Sequence, residues 1–462
     1  MMDVSKLPID VSGKKITVLG ARRSGVAVAE LLAHKGADVL LSDLNPVSFT
    51  APQQQVIKSL NIKTEFGEHS PLVLRADLVV ISPGIPATAA VVRKIDAAAI
   101  PIVSEIEAGY WFMPAADIIA VTGSNGKTTT TTLIYEMFKN SPYDVYCGGN
   151  IGTPFSALIP QSLDDTGKSK VFILEISSFQ LERIIHFHPN VAIILNVTDD
   201  HMDRYDHNIK RYLQAKLNIS KNQTESDRYI YFSDDKLLKN NLPEGPEKLP
   251  FGLINIPGMH FTADRKTIYK ADGRALLARK DISLLGEHNL LNILAALNAV
   301  EGYTLPEEKV IQTLRRFRGI EHRLEYVQTI AGVEYYNDSK ATNVESVKYA
   351  LRSFSKPVII ILGGRDKDSD FALLLPELQQ HAKYAILIGE ASPKIEAVIR
   401  DTIPFSHADS MQAAVERAAH IAEAGEIVLL APACASFDMF ENYEHRGRVF
   451  KKIVVAMTEK EA

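Results

Sequence analysis

Residues 122–129 read Thr-Gly-Ser-Asn-Gly-Lys-Thr-Thr, a run of glycines, hydroxyls and one lysine whose chemistry suits phosphate binding. A glycine-rich turn between a strand and a helix directs backbone N–H groups at phosphate oxygens, with the positive helix end behind them. Lys127 would then reach the terminal phosphates, and the Thr128 hydroxyl would ligate Mg²⁺. Only two residues separate Gly123 from Gly126, so the loop is shorter than the usual Walker A motif. A turn that merely needs glycines is the alternative interpretation.

Two strand-like segments downstream carry residues that suit a hard cation. Residues 171–176 form an apolar run with Glu175 near its carboxyl end, and residues 191–195 lead into a polar segment that contains His201. Carboxylate and imidazole groups at strand ends beside a phosphate loop are what a cation bridging phosphates requires. The alternatives are a core salt bridge for Glu175 and a hydrogen-bonded loop histidine for His201. Lys216, in a helical stretch, is predicted from composition alone to face solvent.

A polar pair opens a later helical pattern. His288 and Asn292 lie four residues apart, on the face opposite the apolar residues Leu290, Leu297 and Val300. The Asn292 amide can bond adenine or ribose. The alternative is a helix cap, which is the commoner role of an asparagine near a helix start.

Three strand-turn-helix units are predicted to position these groups. Residues 15–20, 118–121 and 358–364 each contain a short β-branched apolar run that meets a glycine-rich turn. Units of this kind assemble into parallel, doubly wound sheets, whose ligand sites lie at the carboxyl ends of the strands. The predicted fold class is therefore α/β.

The chain of 462 residues is longer than one hydrophobic core supports, so several domains are expected. We place three α/β domains at residues 1–113, 114–319 and 320–462, within the usual size range. Pro114 would end a helix arriving at the first boundary, and Gly319 is a predicted hinge at the second.

Composition narrows the class of protein. Apolar residues make up 46% and charged residues 23%, as in ordinary soluble proteins, and the net charge of −5 argues against a nucleic-acid-binding face. The longest apolar runs are strand-sized, too short to span a bilayer, and the start lacks a secretory signal. Two cysteines, Cys147 and Cys434, make a disulfide framework or structural zinc site unexpected. We expect a cytoplasmic protein with no nucleic-acid or membrane partner.

The ordered set of motifs resembles a known family. Residues 122–128, 148–152 and 288–292 together resemble the Mur ligases. Four further segments are similar to the branch of that family that adds D-glutamate: residues 174–182, 200–205, 337–343 and 432–436. The matches run in order from Gly20 to Arg446, nearly the whole chain.

This resemblance implies a Rossmann-like N-terminal domain, a P-loop-type central ATPase domain and a Rossmann-like C-terminal domain. It implies ATP-dependent ligation of D-glutamate to UDP-N-acetylmuramoyl-L-alanine through an acyl phosphate, in peptidoglycan precursor synthesis. Two Mg²⁺ ions and a monomeric enzyme are expected. The alternatives are a sibling ligase, a folate polyglutamylating enzyme and a non-catalytic UDP-sugar-binding protein.

The first glycine-rich turn bears on which nucleotide the N-terminal domain binds. Residues 20–25, Gly-Ala-Arg-Arg-Ser-Gly, fail the dinucleotide fingerprint because Arg22 replaces the glycine that lets a pyrophosphate approach. Asp43 still follows the second predicted strand at about the right distance. Together with the resemblance, this pattern favours UDP binding over an NAD site or a purely structural turn.

The resemblance also implies roles for individual residues. It implies ATP contacts at Gly123, Ser124, Asn125, Gly126, Lys127, Thr128, Thr129, Asn292, Arg323 and Asp338. It implies metal ligation by Thr128, Glu175, His201 and a carbamylated Lys216, and a catalytic set of Lys127, Glu175, His201 and Lys216. Contacts with the UDP-linked substrate are implied at Arg23, Ser24, Asp43, Ser82, Gly84, Asn150, Ser177, Gln180 and His201. Contacts with the amino acid are implied at Thr342, Lys367, Ser436 and Tyr443.

Overall fold

The structure is a computed structural model that describes residues 3–7, 9–253, 259–264, 266–284 and 286–461. The strands in these ranges form a five-stranded sheet, a six-stranded sheet, a small three-stranded sheet and a second six-stranded sheet, in chain order. Among the described residues, no helix is both long enough and apolar enough to cross a lipid bilayer.

The first sheet is entirely parallel, in the order β3-β2-β1-β4-β5. Its elements are β1 Lys15–Leu19, α1 Arg23–His34, β2 Asp38–Asp43, α2 Ala51–Ser59, β3 Lys63–Phe66, β4 Leu78–Ile81, α3 Ala90–Ala97, β5 Ile102–Ser104 and α4 Glu105–Tyr110. The strand order reverses around β1, and open parallel sheets bind ligands at such a switch point.

The central sheet is also parallel, in the order β11-β10-β9-β6-β8-β7, and a three-stranded antiparallel sheet follows it in sequence. Its first elements are β6 Asp117–Thr122, α5 Lys127–Phe138, β7 Asp144–Gly149, α6 Phe155–Gln161, β8 Lys170–Glu175, α7 Ser178–Leu181, β9 Val191–Ile194 and α8 Ile209–Leu217. The remaining ones are β10 Arg228–Phe232, α9 Lys236–Lys239, β11 Glu247–Phe251, β12 Phe261–Ala263, β13 Thr267–Lys270, β14 Ala275–Ala278, α10 Glu287–Val300 and α11 Glu307–Arg316.

The last sheet has the order β15-β16-β20-β17-β18-β19. Its elements are β15 Glu325–Ile330, β16 Val333–Asn337, α12 Val344–Arg352, β17 Val358–Gly363, α13 Leu375–His381, β18 Ala382–Ile388, α14 Ser392–Ile399, β19 Phe405–His407, α15 Met411–Ile421, β20 Ile427–Leu430 and α16 Tyr443–Glu461. The domain limits proposed after residues 113 and 319 lie between α4 and β6 and between α11 and β15.

Strand β6 explains why the carboxyl edge of the central sheet is a firm platform. Because successive side chains of a strand point to opposite faces, Ile119 and Val121 join the core that includes α5 and α10, whereas Ile118 and Ala120 join the core that includes α6 and α8. All four side chains are buried. The turns that leave β6, β8 and β9 are therefore anchored side by side.

The α/β prediction is confirmed, and two details differ from what the sequence patterns suggest. Strand β15 pairs antiparallel with β16, so the last sheet is mixed rather than wholly parallel. The polar, proline-containing stretch of residues 240–250 has the composition of a loop or a small excursion within the central domain, but its last residues belong to β11, which pairs with β10. Pro250 obscured this strand, since proline lacks an N–H group; β11 tolerates it because it is an edge strand.

Candidate active site

A cavity of about 480 Å³ opens at the carboxyl edge of the central sheet, where all three domains meet. The phosphate-loop residues, the end of β8 and the start of α10 supply its central wall. Arg23 reaches it from the first domain, and Asp338 and Tyr443 reach it from the third. One cavity therefore brings together residues that are more than 400 positions apart in sequence.

The turn between β6 and α5 depends on its glycines. Gly126 has a φ of 91°, and a Cβ atom at that position would lie 2.3 Å from Asn292 Oδ1. Gly123 has a φ of 151°, in a backbone region that side chains disfavour. Helix α5 begins directly after Gly126, so its free N–H groups open to the cavity. The loop is built to approach an anion closely.

Lys127 is folded back over this loop. Its Nζ donates hydrogen bonds to the carbonyls of Gly123, at 2.8 Å, and Ser124, at 2.9 Å. Burial lowers the pKa of Lys127, although Glu175 and Asp200 oppose the shift. The Lys127 ammonium therefore lies on the cavity wall, at the loop where a phosphate is expected.

The third domain touches the loop through two contacts for which the sequence suggested no role. Lys340 Nζ donates to Thr128 Oγ1 at 2.7 Å, and Ser346 Oγ donates to Asn125 Oδ1 at 2.9 Å. Burial lowers the pKa of Lys340 to about 8. The signal that could have identified Lys340 is its position just after β16, at the carboxyl edge of the last sheet.

Glu175 ends β8 and is only 2% exposed. Its Oε1 accepts a hydrogen bond of 2.8 Å from Asn150 Nδ2, while its Oε2 has no hydrogen-bond partner among the described residues. A buried carboxylate oxygen without a donor is costly unless a cation or ligand engages it. The carboxylate therefore has the chemistry of a ligand for a hard cation.

His201 lies on the cavity wall with a left-handed backbone, at a φ of 55°. Its ring packs edge-on against Phe179, with the centroids 5.0 Å apart, and its Nε2 is 3.7 Å from Asp200 Oδ2. Burial lowers the pKa of His201, against the opposing charge of Asp200. The neutral imidazole that this favours has a free lone pair for a metal ion.

Lys216 is buried in α8, with 1% of its surface exposed, so the composition-based prediction of a solvent-facing lysine is wrong. Its Nζ donates to the Gly123 carbonyl at 2.9 Å and lies 4.3 Å from the ring centroid of Tyr212. Burial, reinforced by the charge of Lys127, holds the pKa of Lys216 well below its ordinary value. The amine lies beneath the phosphate loop and does not line the cavity.

Asn292, Arg323 and Asp338 all line the cavity. Asn292 lies within α10 and its Nδ2 donates to Asn289 Oδ1 at 3.1 Å, so the helix-cap interpretation is wrong. Asp338 Oδ1 accepts from the backbone N–H of Leu324 at 3.2 Å. Burial raises the pKa of Asp338 to about 6, although the guanidinium of Arg323 opposes the shift.

Of the four residues predicted to bind the amino acid, two line the cavity and two do not. Thr342 and Tyr443 line the cavity, whereas the exposed Lys367 and the buried Ser436 do not. Lys367 is nevertheless close enough to His201 for its charge to lower the pKa of that imidazole.

In the first domain, Arg23 opens α1 beside Ser24, and its Nη1 donates to the Gly152 carbonyl at 3.0 Å. Ser82 Oγ donates to the Gly20 carbonyl at 3.2 Å, which steadies the turn after β1. Neither Ser24 nor Ser82 lines the cavity described above.

Asp43 and Gly84 belong to a second cavity, of about 550 Å³, beside the carboxyl edge of the first sheet. Asp43 Oδ2 accepts from the backbone N–H of Ala21 at 2.8 Å, so its carboxylate also holds the first turn in place.

Ser177 and Gln180 form a capping box at the start of α7. The Ser177 N–H and Oγ donate to Gln180 Oε1 at 3.0 and 2.9 Å. Neither residue lines one of the two cavities. This local hydrogen-bonding accounts for the Ser-x-x-Gln spacing, and their role with a substrate stays a prediction.

Three family models match the chain in order. The MurD-like N-terminal domain of Mur ligases matches residues 14–104, the Mur ligase middle domain matches residues 121–300, and the Mur ligase glutamate ligase domain matches residues 322–434. The chain belongs to the Mur ligase family. Within this family it is similar along nearly its whole length to curated proteins.

Two of these relatives are named UDP-N-acetylmuramoylalanine–D-glutamate ligase. The protein of Chloroherpeton thalassium is 38% identical over an alignment of 467 positions, which covers 96% of this Mur ligase and 99% of the relative. The protein of Koribacter versatilis is 40% identical over 458 residues, which cover 98% and 100%. Both comparisons extend across all three domains.

Among solved structures, the MurF ligase of Thermotoga maritima in complex with ADP superposes on this Mur ligase with a TM-score of 0.60. The two chains are 18% identical, and the superposition covers 98% of this chain and 96% of the other. At this level of identity the likeness shows a shared fold, which includes the Rossmann-like and P-loop-type domains predicted above.

Proposed function

We propose that this Mur ligase joins D-glutamate to UDP-N-acetylmuramoyl-L-alanine, with ATP converted to ADP and phosphate, in the synthesis of peptidoglycan precursors. One observation carries the proposal: the cavity that contains Lys127 and Glu175 also contains Arg23 from the first domain and Thr342 and Tyr443 from the third. A triphosphate, a nucleotide-linked acid and an amine can therefore meet in one place. The names and coverage of the relatives support this choice of substrates.

The residues beside the phosphate loop fit Mg²⁺. Glu175 has a buried Oε2 with no hydrogen-bond partner among the described residues, Thr128 has a hydroxyl in the cavity wall, and His201 favours the neutral form. These are hard oxygen and imidazole donors. When bound, the cation would reduce the negative charge that the phosphates present to an incoming carboxylate.

We also propose that Lys216 is carbamylated. Its buried amine has a pKa well below the ordinary value, so the neutral form that attacks CO₂ is available. The new N–C bond gives a carbamate and releases one proton from the nitrogen. Intact-protein mass spectrometry under CO₂-rich buffer should detect the added mass of CO₂, and a Lys216→Arg protein should lack it.

The proposed chemistry has two steps. A carboxylate oxygen of the substrate's L-alanine attacks the γ-phosphorus of ATP, the bond to ADP breaks, and an acyl phosphate forms. The neutral amine of D-glutamate then attacks the acyl carbon, the C–N bond forms as the C–O bond to phosphate breaks, and the nitrogen loses one proton, which leaves with the phosphate. Lys127, Lys340 and Arg323 surround this region with positive charge, which stabilises developing negative charge in a buried site.

We propose a monomer as the active unit, with the cavity lined by residues from all three domains of one chain. ATP and the UDP-linked acid are cytoplasmic metabolites in character, and we propose the cytoplasm as the site of action. The partners are these small molecules rather than nucleic acid or membrane.

The test is phosphate release from ATP in the presence of UDP-N-acetylmuramoyl-L-alanine, with D-glutamate, L-lysine or L-alanine as the acceptor. Release that requires both the UDP-linked acid and D-glutamate is expected. Release with L-lysine but not D-glutamate would assign the chain to a sibling activity. Binding of the UDP-linked acid without any release would favour the non-catalytic alternative.

A further inference from the structure

The second cavity lies where a nucleotide is expected in an open parallel sheet. Its walls come from the segments that follow β2, β3 and β4, at the carboxyl edge of the first sheet. Most of the wall is apolar, with Leu44, Val73, Ile85 and Pro86 among its residues. An apolar slot with a few fixed polar groups suits a flat heterocycle. The faces of such a ring pack against apolar walls, and its edge carries the hydrogen-bonding groups that distinguish one base from another.

One polar side chain in this wall is fixed by a partly buried hydrogen-bond network. His69 Nδ1 lies 2.7 Å from Ser42 Oγ, and Ser42 is completely buried in β2. Ser42 Oγ in turn lies 2.6 Å from Glu65 Oε1, in the neighbouring strand β3. Ser70 Oγ donates to the other oxygen, Glu65 Oε2, at 2.6 Å. The imidazole is therefore anchored at one edge, and its other edge carries Nε2.

The network decides which imidazole nitrogen carries the proton. A hydroxyl has one proton to donate, and Ser42 gives it to the Glu65 carboxylate, which can only accept. His69 Nδ1 must then donate its own proton to Ser42 Oγ. In a neutral imidazole the other nitrogen, Nε2, is then a hydrogen-bond acceptor. Burial lowers the pKa of His69, against the charges of Glu65 and Asp43, and so favours this neutral form.

Two carboxylates also line this cavity: the exposed Glu68, and Asp43, which is engaged in the turns. Asp43 Oδ2 accepts from the backbone N–H of Ala21, and Asp43 Oδ1 accepts from that of Asn45, both within the turns that shape the cavity. The network therefore holds the His69 imidazole through Nδ1 and leaves Nε2 as the acceptor edge of a residue that lines the cavity.

We propose that His69 reads the nucleobase of the UDP-linked substrate by accepting a hydrogen bond from an N–H group on its edge, with Ser42 and Glu65 as positioning residues. The proposal rests on the proposed function, which supplies a uridine nucleotide. Uracil presents an N3–H donor, whereas cytosine presents a bare N3 acceptor that would face the Nε2 lone pair. The same network would therefore select uracil and reject cytosine.

The probes are UDP, CDP and N3-methyl-UDP, and the measurement is their binding to the full-length protein by calorimetry. The wild type is expected to bind UDP about ten-fold more tightly than either analogue, the effect of one directed hydrogen bond and of an unpaired group in its absence. In His69→Leu this preference should fall close to unity. In Ser42→Ala, where Nδ1 loses its fixed partner, an intermediate preference is expected.

His34→Leu is the matched control, because His34 is an exposed histidine of α1 outside the cavity. It should keep the wild-type preference. A merely structural role for His69 would weaken all three ligands together and leave their ratio unchanged, and that result would overturn the proposal. Equal binding of UDP and N3-methyl-UDP by the wild type would also overturn it. Failure of the wild type to bind UDP at all would instead remove the proposed function on which the inference rests.

Discussion

The turn after β1 and the turn after β6 use the same backbone device for different purposes. Each joins a parallel strand to a helix, and Gly20 and Gly126 share a φ of 91°. In the central domain the turn is followed by the half-buried Lys127, folded over the loop. In the first domain it is followed by the exposed Arg23, which reaches across to the Gly152 carbonyl.

The difference indicates that burial, rather than turn geometry, determines whether a turn of this enzyme acts in catalysis or in substrate binding. A charge in a water-poor site acts strongly on a developing charge, whereas an exposed guanidinium is screened and mainly holds a ligand. Changes in the central turn should therefore lower kcat, and changes in the first turn should raise KM for the UDP-linked substrate.

The largest effect is expected from Lys127→Ala. It removes the cation that neutralises the transferring phosphoryl group, so kcat should fall by about a thousand-fold or more. KM for the UDP-linked substrate should change little, because Lys127 is not among the residues expected to contact that ligand. Steady-state phosphate release measures both. Lys139→Ala, at the far end of α5, is the control and should behave like the wild type. A nearly active Lys127→Ala enzyme would remove the distinction between the two turns.

A smaller loss is expected from Glu175→Gln, which keeps the shape and the contact with Asn150 but removes the charge. We expect kcat to fall by about a hundred-fold, and the Mg²⁺ concentration needed for half-maximal rate to rise. Titration of the rate with Mg²⁺ provides the measurement. An unchanged titration curve would mean that Glu175 is not a ligand of the cation, whatever the loss in rate.

Arg23→Ala should act on binding alone. Loss of its charge-assisted hydrogen bonds is expected to raise KM for the UDP-linked substrate by about ten-fold, with kcat nearly unchanged. Arg22→Ala is the matched control, because Arg22 is the exposed neighbour outside the cavity. A fall in kcat without a change in KM would place the first turn in the chemistry and break the comparison.

The smallest expected effect is a pH dependence of KM for ATP that arises from Asp338. Its pKa of about 6 means that the carboxylate is ionised above that pH and protonated below it. Protonation removes the charge facing Arg323, so KM for ATP should rise about three-fold as pH falls through this range. Asp338→Asn should bind ATP weakly at every pH and show no such rise. A parallel pH dependence in the two proteins would assign the titration to another group.

Sequence patterns predicted the positions of more cavity residues in the central domain than in the other two domains. The positions of the phosphate loop and Glu175 at the cavity could be predicted because the loop directly follows one strongly apolar strand and Glu175 ends another. His201 comes later, in the polar segment that follows β9. Lys216 could not be predicted from residues alone, since a helix pattern does not reveal that another loop covers it. The contact of Lys340 with Thr128 depends on how two domains meet, which no local pattern encodes.

The same limit applies to the amino-acid site. Thr342 and Tyr443 line the cavity in this arrangement of the domains, whereas Lys367 and Ser436 do not, and their roles stay predictions. The capping box of Ser177 and Gln180 shows how one spacing can satisfy a local rule and a family motif together.

Activation of the substrate carboxylate by ATP is tested most directly with UDP-N-acetylmuramoyl-L-alanine labelled with ¹⁸O in the alanine carboxylate. The attacking oxygen becomes the bridge of the acyl phosphate, and it leaves with phosphorus when the D-glutamate amine attacks the carbon. Mass analysis of the released phosphate should therefore find one labelled oxygen for each peptide bond formed. Phosphate free of label, with peptide product still accumulating, would contradict the account.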